Sequence, residues 1–79
     1  MYVTVKLFAT LSRYGRGERA GTPFVLELSE AASLHDLVSQ LQIPPEETRV
    51  MFVNGIIRES DFELKDSDEV GLFPPIGGG

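Results

Sequence analysis

The sequence predicts an α+β domain, with one mixed β-sheet of about five strands packed on a single main helix. Three observations predict it. Apolar residues alternate with period 2 over Tyr2–Phe8 and again over Phe24–Leu28. Leu34, Leu37, Val38 and Leu41 recur at helical spacing. Asn54-Gly55 separates two short apolar runs, and a type I′ hairpin turn needs positive φ at both central positions.

In the first strand Val3, Val5 and Leu7 share one face, and Phe8 falls on the other with Tyr2, Thr4 and Lys6. Residues Ala9 to Pro23, with Gly15, Gly17, Gly21 and three arginines, read as a loop that opens with a helical turn at Thr10 to Tyr14. Phe24, Leu26 and Leu28 point inward from the second strand, which pairs with the first as a wide hairpin. Ser33 is the N-cap of the helix, and Asp36 three residues on completes a capping pattern. Pro44-Pro45 ends the helix, because proline disfavours helical backbone in the residue before it. Arg49–Val53 and Ile56–Arg58 are the strands of the Asn54-Gly55 hairpin. Glu59 to Glu69 is polar and turn-rich, anchored by Leu64. Val70–Phe73 is the last strand, broken by Pro74-Pro75. The order β-β-α-β-β-β has no internal repeat, and a single domain covers 1–79.

Composition excludes several classes. The chain has 79 residues, 24% of them charged, and a formal charge of −5. It has no Cys, so a disulfide framework, a thiolate metal site and a Cys nucleophile are excluded. No apolar run approaches the ~20 residues of a membrane span. The alternating N-terminus does not read as a secretory signal, which fits the cytoplasm. An acidic balance argues against nucleic acid or an anionic membrane as partner.

The last residues are Pro74-Pro75-Ile76-Gly77-Gly78-Gly79. Pro-Pro favours a stiff, extended exit from the sheet, so 74–79 is expected to be a flexible tail. Glycines without Cβ atoms can enter a channel too narrow for other residues. A carboxylate on so thin a stalk suits threading into another protein's active site; the alternative is a frayed end. Strand parity adds a second signal. If Val70 and Leu72 face the core, Phe73 points outward, as Phe8 does. With the first and last strands adjacent, the two rings would meet in the open, and Ile57 would join them, since Ile56 and Ile57 cannot both face inward. A contiguous apolar patch marks an interface.

These residues resemble a family. The run Leu64-Lys65-Asp66-Ser67-Asp68-Glu69-Val70-Gly71-Leu72-Phe73-Pro74-Pro75-Ile76-Gly77-Gly78-Gly79, with the opening Val5-Lys6-Leu7-Phe8-Ala9 and the Val53-Asn54 hairpin, is similar to the sulfur-carrier family of ubiquitin-like β-grasp proteins. Within it, the small subunit of molybdopterin synthase (the MoaD branch) is most similar. The resemblance implies a β-grasp fold and a protein that is not catalytic alone. It implies an E1-like adenylating enzyme that uses ATP on the terminal carboxylate and a sulfur donor that converts the acyl-adenylate to a thiocarboxylate. It further implies a large synthase subunit, in a heterotetramer, where the sulfur passes to a pterin precursor. Gly79 would be the acyl carrier and Gly78 its slim neighbour. Phe8, Ile57 and Phe73 match the family's partner-binding surface, with Pro74, Pro75, Ile76 and Gly77 as the tail that follows. Gly77 departs from the family, which has a larger spacer there. No metal site and no bound cofactor are expected.

The remaining polar residues carry plainer readings. His35 lies at the exposed start of the helix. Asp66, Asp68 and Glu69 lack the spacing of a calcium loop and read as a tight solvated turn. Arg13, Arg16 and Arg19 form a solvated basic cluster with one aromatic, Tyr14, too few for base stacking. Glu46-Glu47 reads as the first turn of a short helix. Two alternatives stay open for the function: a sulfur carrier for another product (thiamine thiazole, cysteine or thiolated tRNA), and a ubiquitin-like modifier or interaction module.

Overall fold

The computed structural model describes residues 1–15 and 19–75. Five strands, β1 (Tyr2–Leu7), β2 (Phe24–Glu27), β3 (Val50–Val53), β4 (Ile56–Ile57) and β5 (Glu69–Phe73), form one sheet in the order β2-β1-β5-β3-β4. The β1–β5 pair is parallel and the other three pairs are antiparallel. Helix α1 (Leu34–Gln40) crosses one face. First and last strands are therefore neighbours at the centre of the sheet, the arrangement of a ubiquitin-like β-grasp fold. Two short 3₁₀ helices, Ala9–Tyr14 and Pro45–Glu47, fill the connections. The first covers the helical turn expected at Thr10 to Tyr14, and the second the turn expected at Glu46-Glu47.

The core lies between α1 and the inner sheet face. Val3, Val5 and Leu7 of β1, Leu26 of β2, Val53 of β3 and Val70 and Leu72 of β5 meet Leu34, Leu37 and Val38 of α1 there. Leu64 is buried among them and pins the long polar connection. Phe24 and Leu41 are half-buried against the same cluster. No polar side chain is buried among the described residues, so the interior needs no internal pairing.

The start of α1 is closed on every free amide. Ser33 Oγ accepts from Asp36 N at 3.1 Å while Asp36 Oδ2 accepts from Ser33 N at 2.8 Å. Leu34 N and His35 N donate to Phe62 O and Ser60 O in the polar connection. A helix of seven residues cannot stand alone, and these bonds satisfy the donors its first turn leaves open. They also hold the Asp36 carboxyl below the usual carboxylate range: the bond from Ser33 N acts first and the Ser33 side chain second. The other end differs from the sequence expectation. The helix stops before the prolines, at Gln42, whose φ of 60° is left-handed. There Gln42 N donates to Ser39 O and Ile43 N to Val38 O, a helix-closing pattern. Pro44-Pro45 lies beyond it and opens the second 3₁₀ helix instead.

Candidate functional site

Outward residues of four strands converge on the sheet face opposite α1. Register places Lys6 beside Gly71, Gly71 beside Phe52, and Phe52 beside Ile57. Paired residues share a face, so these four line one stripe across β1, β5, β3 and β4. Phe8 and Phe73 close its end. Their rings stack with centroids 4.3 Å apart and 2° between planes, and Phe52 meets Phe73 edge-on at 5.5 Å. Such contacts contribute about 0.5–1.5 kcal/mol each beyond burial. Ile57 is 62% exposed at the margin.

Gly71 gives the cluster its depth. A Cβ built there would sit 3.4 Å from the Phe8 ring, 3.9 Å from Phe73 and 4.0 Å from Phe52. Without it, a shallow depression of about 410 Å³ opens between Phe8, Phe52 and Phe73. Gly21, at φ 81°, supports the far side of Phe8, and its N donates to Leu7 O at 2.8 Å.

The same strand carries the root of the tail. Phe73 O accepts from Arg49 N at 2.9 Å, the last bond of the β3–β5 ladder. Pro74 and Pro75 have no N–H, so pairing stops there. Pro74 is half-buried and Pro75 exposed. Phe73 thus joins the apolar cluster to the exit of the chain. Ile76, Gly77, Gly78 and Gly79 lie outside the described residues, as does Arg16.

The chain matches the ThiS family over residues 5–79, a span that includes both the aromatic cluster and the terminal glycines. The chain belongs to the ThiS family. Among solved structures it is similar to a putative molybdopterin converting factor subunit 1 from Pyrococcus furiosus, at 31% identity over 96% of this chain and 99% of that one, with a TM-score of 0.72. It is also similar to a chain in the complex of subunits 1 and 2 of molybdopterin-converting factor from Helicobacter pylori, at 25% identity, full coverage of both chains and a TM-score of 0.61. Small archaeal modifier protein 1 of Haloferax volcanii shares the fold, at 18% identity over 95% of this chain and 98% of that one, with a TM-score of 0.71. No curated protein sequence matches at a significant level. As a ThiS-family chain the protein has a ubiquitin-like sulfur-carrier fold.

Within this ThiS-family fold, the structure brings Phe8 and Phe73 into contact as the alternation predicts, and places Ile57 on the same face through Phe52. Phe52 and Gly71 are the site residues that sequence reasoning missed. The outward parity of Phe52 follows only once the structure buries its neighbour Val53, because Val50–Val53 is apolar throughout. Ile56, on the opposite parity to Ile57, is also exposed, because β4 is a two-residue edge strand that overhangs the core.

The plainer residues are structural. Asp66 Oδ1 accepts from Tyr2 N at 2.8 Å and Asp68 Oδ2 from Lys65 N at 2.8 Å. Asn54 Nδ2 donates to Asp68 Oδ1 and Glu69 N donates to Asn54 Oδ1, both at 2.9 Å, so the hairpin turn is tied to the acidic turn. Arg13 is a link between the two 3₁₀ helices. Its guanidinium is 2.6 Å from Glu47 Oε1, whose other oxygen accepts from the Tyr14 hydroxyl at 3.0 Å. Tyr14 and then the Glu47 charge raise its pKa above the usual arginine value. Among the described residues no His, Asp or Glu cluster could hold a metal ion, and no helix is long and apolar enough to cross a membrane.

Proposed function

We propose that the chain is the sulfur-donating small subunit of a molybdopterin synthase, acting through Gly79. The observation that carries this reading is the family match through residue 79 on a chain whose aromatic cluster ends at the tail's root. In the reaction, an E1-like adenylating enzyme joins the Gly79 carboxylate to AMP from ATP and releases pyrophosphate. A hydrosulfide equivalent from the sulfur donor then attacks the acyl carbon, forming C–S as C–O breaks and AMP leaves. The acyl carbon keeps its oxidation level. The thiocarboxylate enters a large synthase subunit in the cytoplasm, where its sulfur bonds to a pterin precursor. Water then cleaves the acyl C–S bond, leaving sulfur on the pterin and restoring the Gly79 carboxylate. Phe8, Phe52, Ile57 and Phe73 dock on each partner in turn, and Gly77, Gly78 and Gly79 thread its channel. The similarity to a putative molybdopterin converting factor subunit 1 and to a chain in a complex of subunits 1 and 2 supports a pterin product and a second-subunit partner; we propose a heterotetramer as the form of that complex.

Incubation with a cognate adenylating enzyme, ATP and sulfide should exchange one oxygen for sulfur at Gly79, read by intact mass. No exchange would overturn the carrier reading. Exchange followed by transfer to a thiazole precursor alone would overturn the pterin branch. Gly78→Val should keep the fold, measured by its melting curve, and lose transfer.

A further inference from the structure

Strand β2 is an edge of the sheet. Its hydrogen-bonding directions follow from its partner. Met1 and Leu28 exchange both backbone bonds, at 2.8 Å each. Antiparallel pairs alternate between bonded and non-bonded positions, so Leu26 and Phe24 bond to Val3 and Val5, while Val25 and Glu27 turn their N–H and C=O groups to the open edge. Glu27 O is already taken there, by Gln40 Nε2 of α1 at 2.8 Å. The edge therefore presents Val25 N–H, Val25 C=O and Glu27 N–H, and among the described residues nothing meets them. Pro23, before the strand, has a carbonyl and no N–H.

These groups complement a copy of themselves. In antiparallel pairing centred on Val25, the two Val25 residues exchange two bonds. Glu27 then falls opposite Pro23 of the second copy and donates to its carbonyl. The return bond would need a proline N–H and a free Glu27 carbonyl. The first does not exist and the second is occupied, so no polar group is left unpaired. The side chains agree. Val25 is 55% exposed on the outer face and would meet its copy across the axis. On the inner face half-buried Phe24 would meet Leu26 of the second copy, extending the apolar layer. The two Glu27 carboxylates would lie about 13 Å apart along the strands, beyond the Debye length of about 8 Å at physiological salt. Natural edges are blunted by short strands, proline, charges, bulges or covering loops; here Pro23 and Glu27 flank the edge, and Phe24-Val25-Leu26 between them carries no charge.

We infer that β2 is a self-pairing edge, through which two copies of this chain join their sheets antiparallel about Val25. The contact is short, so the dimer is weak and depends on concentration. Both aromatic faces then lie on one side of the joined sheet, and both tail roots stay free. The inference does not rest on the sulfur-carrier reading.

Sedimentation of the full chain from micromolar to millimolar concentration tests it, with amide shifts recorded over the same series. The expected result is a mass rising toward two chains, with shifts concentrated at Val25 and Glu27. Val25→Pro removes a donor that serves no bond within the chain and should weaken the dimer about thirtyfold, the worth of two hydrogen bonds. Val25→Lys brings two like charges together at the axis and should do the same. Unchanged melting curves establish that both variants fold. A chain that stays monomeric at millimolar concentration overturns the inference. So does a dimer that both folded variants form as well as the original chain, or whose shifts fall on Phe8 and Phe73, which would make the aromatic face the contact.

Discussion

The ring of Phe73 lies flat against that of Phe8, 4.3 Å away, across the parallel pair β5 and β1. One ring is a residue from the end of β1 and the other ends β5, so the stack fixes the point from which the tail departs. Gly71 lies beneath the stack and supplies its floor.

Replacing Phe73 by Asp should act on docking and, to a lesser degree, on folding. Losing its contacts with Phe8 and Phe52 should lower the melting curve by the equivalent of about 1–3 kcal/mol, so binding is compared at a temperature where both proteins are folded. Binding to a cognate adenylating enzyme or large subunit, measured by calorimetry, should weaken by about 2 kcal/mol, the value of an anchor residue. Unchanged binding would remove this face from the interface.

The turn residue Asn54 combines a left-handed φ of 51° with two side-chain bonds to the acidic turn. Asn54→Ala should cost about 2 kcal/mol in urea unfolding. Asn54→Gly keeps the backbone freedom and loses only the bonds, so it should cost about half as much. Equal losses in the two variants would show that the side-chain bonds alone matter.

Gln42 offers the opposite case. It closes α1 at φ 60°, a position that glycine occupies without strain. Gln42→Gly should stabilise the fold by roughly 0.5–1 kcal/mol, read from the urea midpoint. A lower midpoint would mean that the Gln42 side chain contributes more than its backbone costs.

Acid should weaken the cap of α1. The Asp36 pKa is depressed in the folded chain relative to 3.8, its ordinary value. Its contribution is present above the unfolded pKa and is lost as pH falls through the folded one. Stability of the original chain should thus drop more steeply below about pH 4 than that of Asp36→Asn, which cannot titrate. Parallel acid limbs in the two proteins would rule out Asp36 as the sensor.

Much of this arrangement was legible in the residues. Val3-Thr4-Val5-Lys6-Leu7 alternates so regularly that the inner and outer faces of β1 follow from it, and Phe8 with them. Asn54-Gly55 and Ser33 with Asp36 mark a turn and a cap through local chemistry alone. Phe52 stayed hidden because Val50-Met51-Phe52-Val53 is apolar throughout and shows no alternation to read. Gly71 stayed hidden because its importance lies in its neighbours across two ladders. The stop at Gln42 was masked by the stronger signal of Pro44-Pro45. The acceptors that close the start of α1 are the carbonyls of Phe62 and Ser60, far along the chain, and no local pattern announces them.

The tail is rooted in β5, which is bonded on one side to β1 and on the other to β3. A load applied to the end of β5 along the strand axis would act on both ladders in shear, and their bonds would have to fail together. A hairpin at the sheet margin would instead peel one bond at a time. The domain is thus built as a handle: β5, gripped on both flanks, would hold under a load that would unravel a marginal strand.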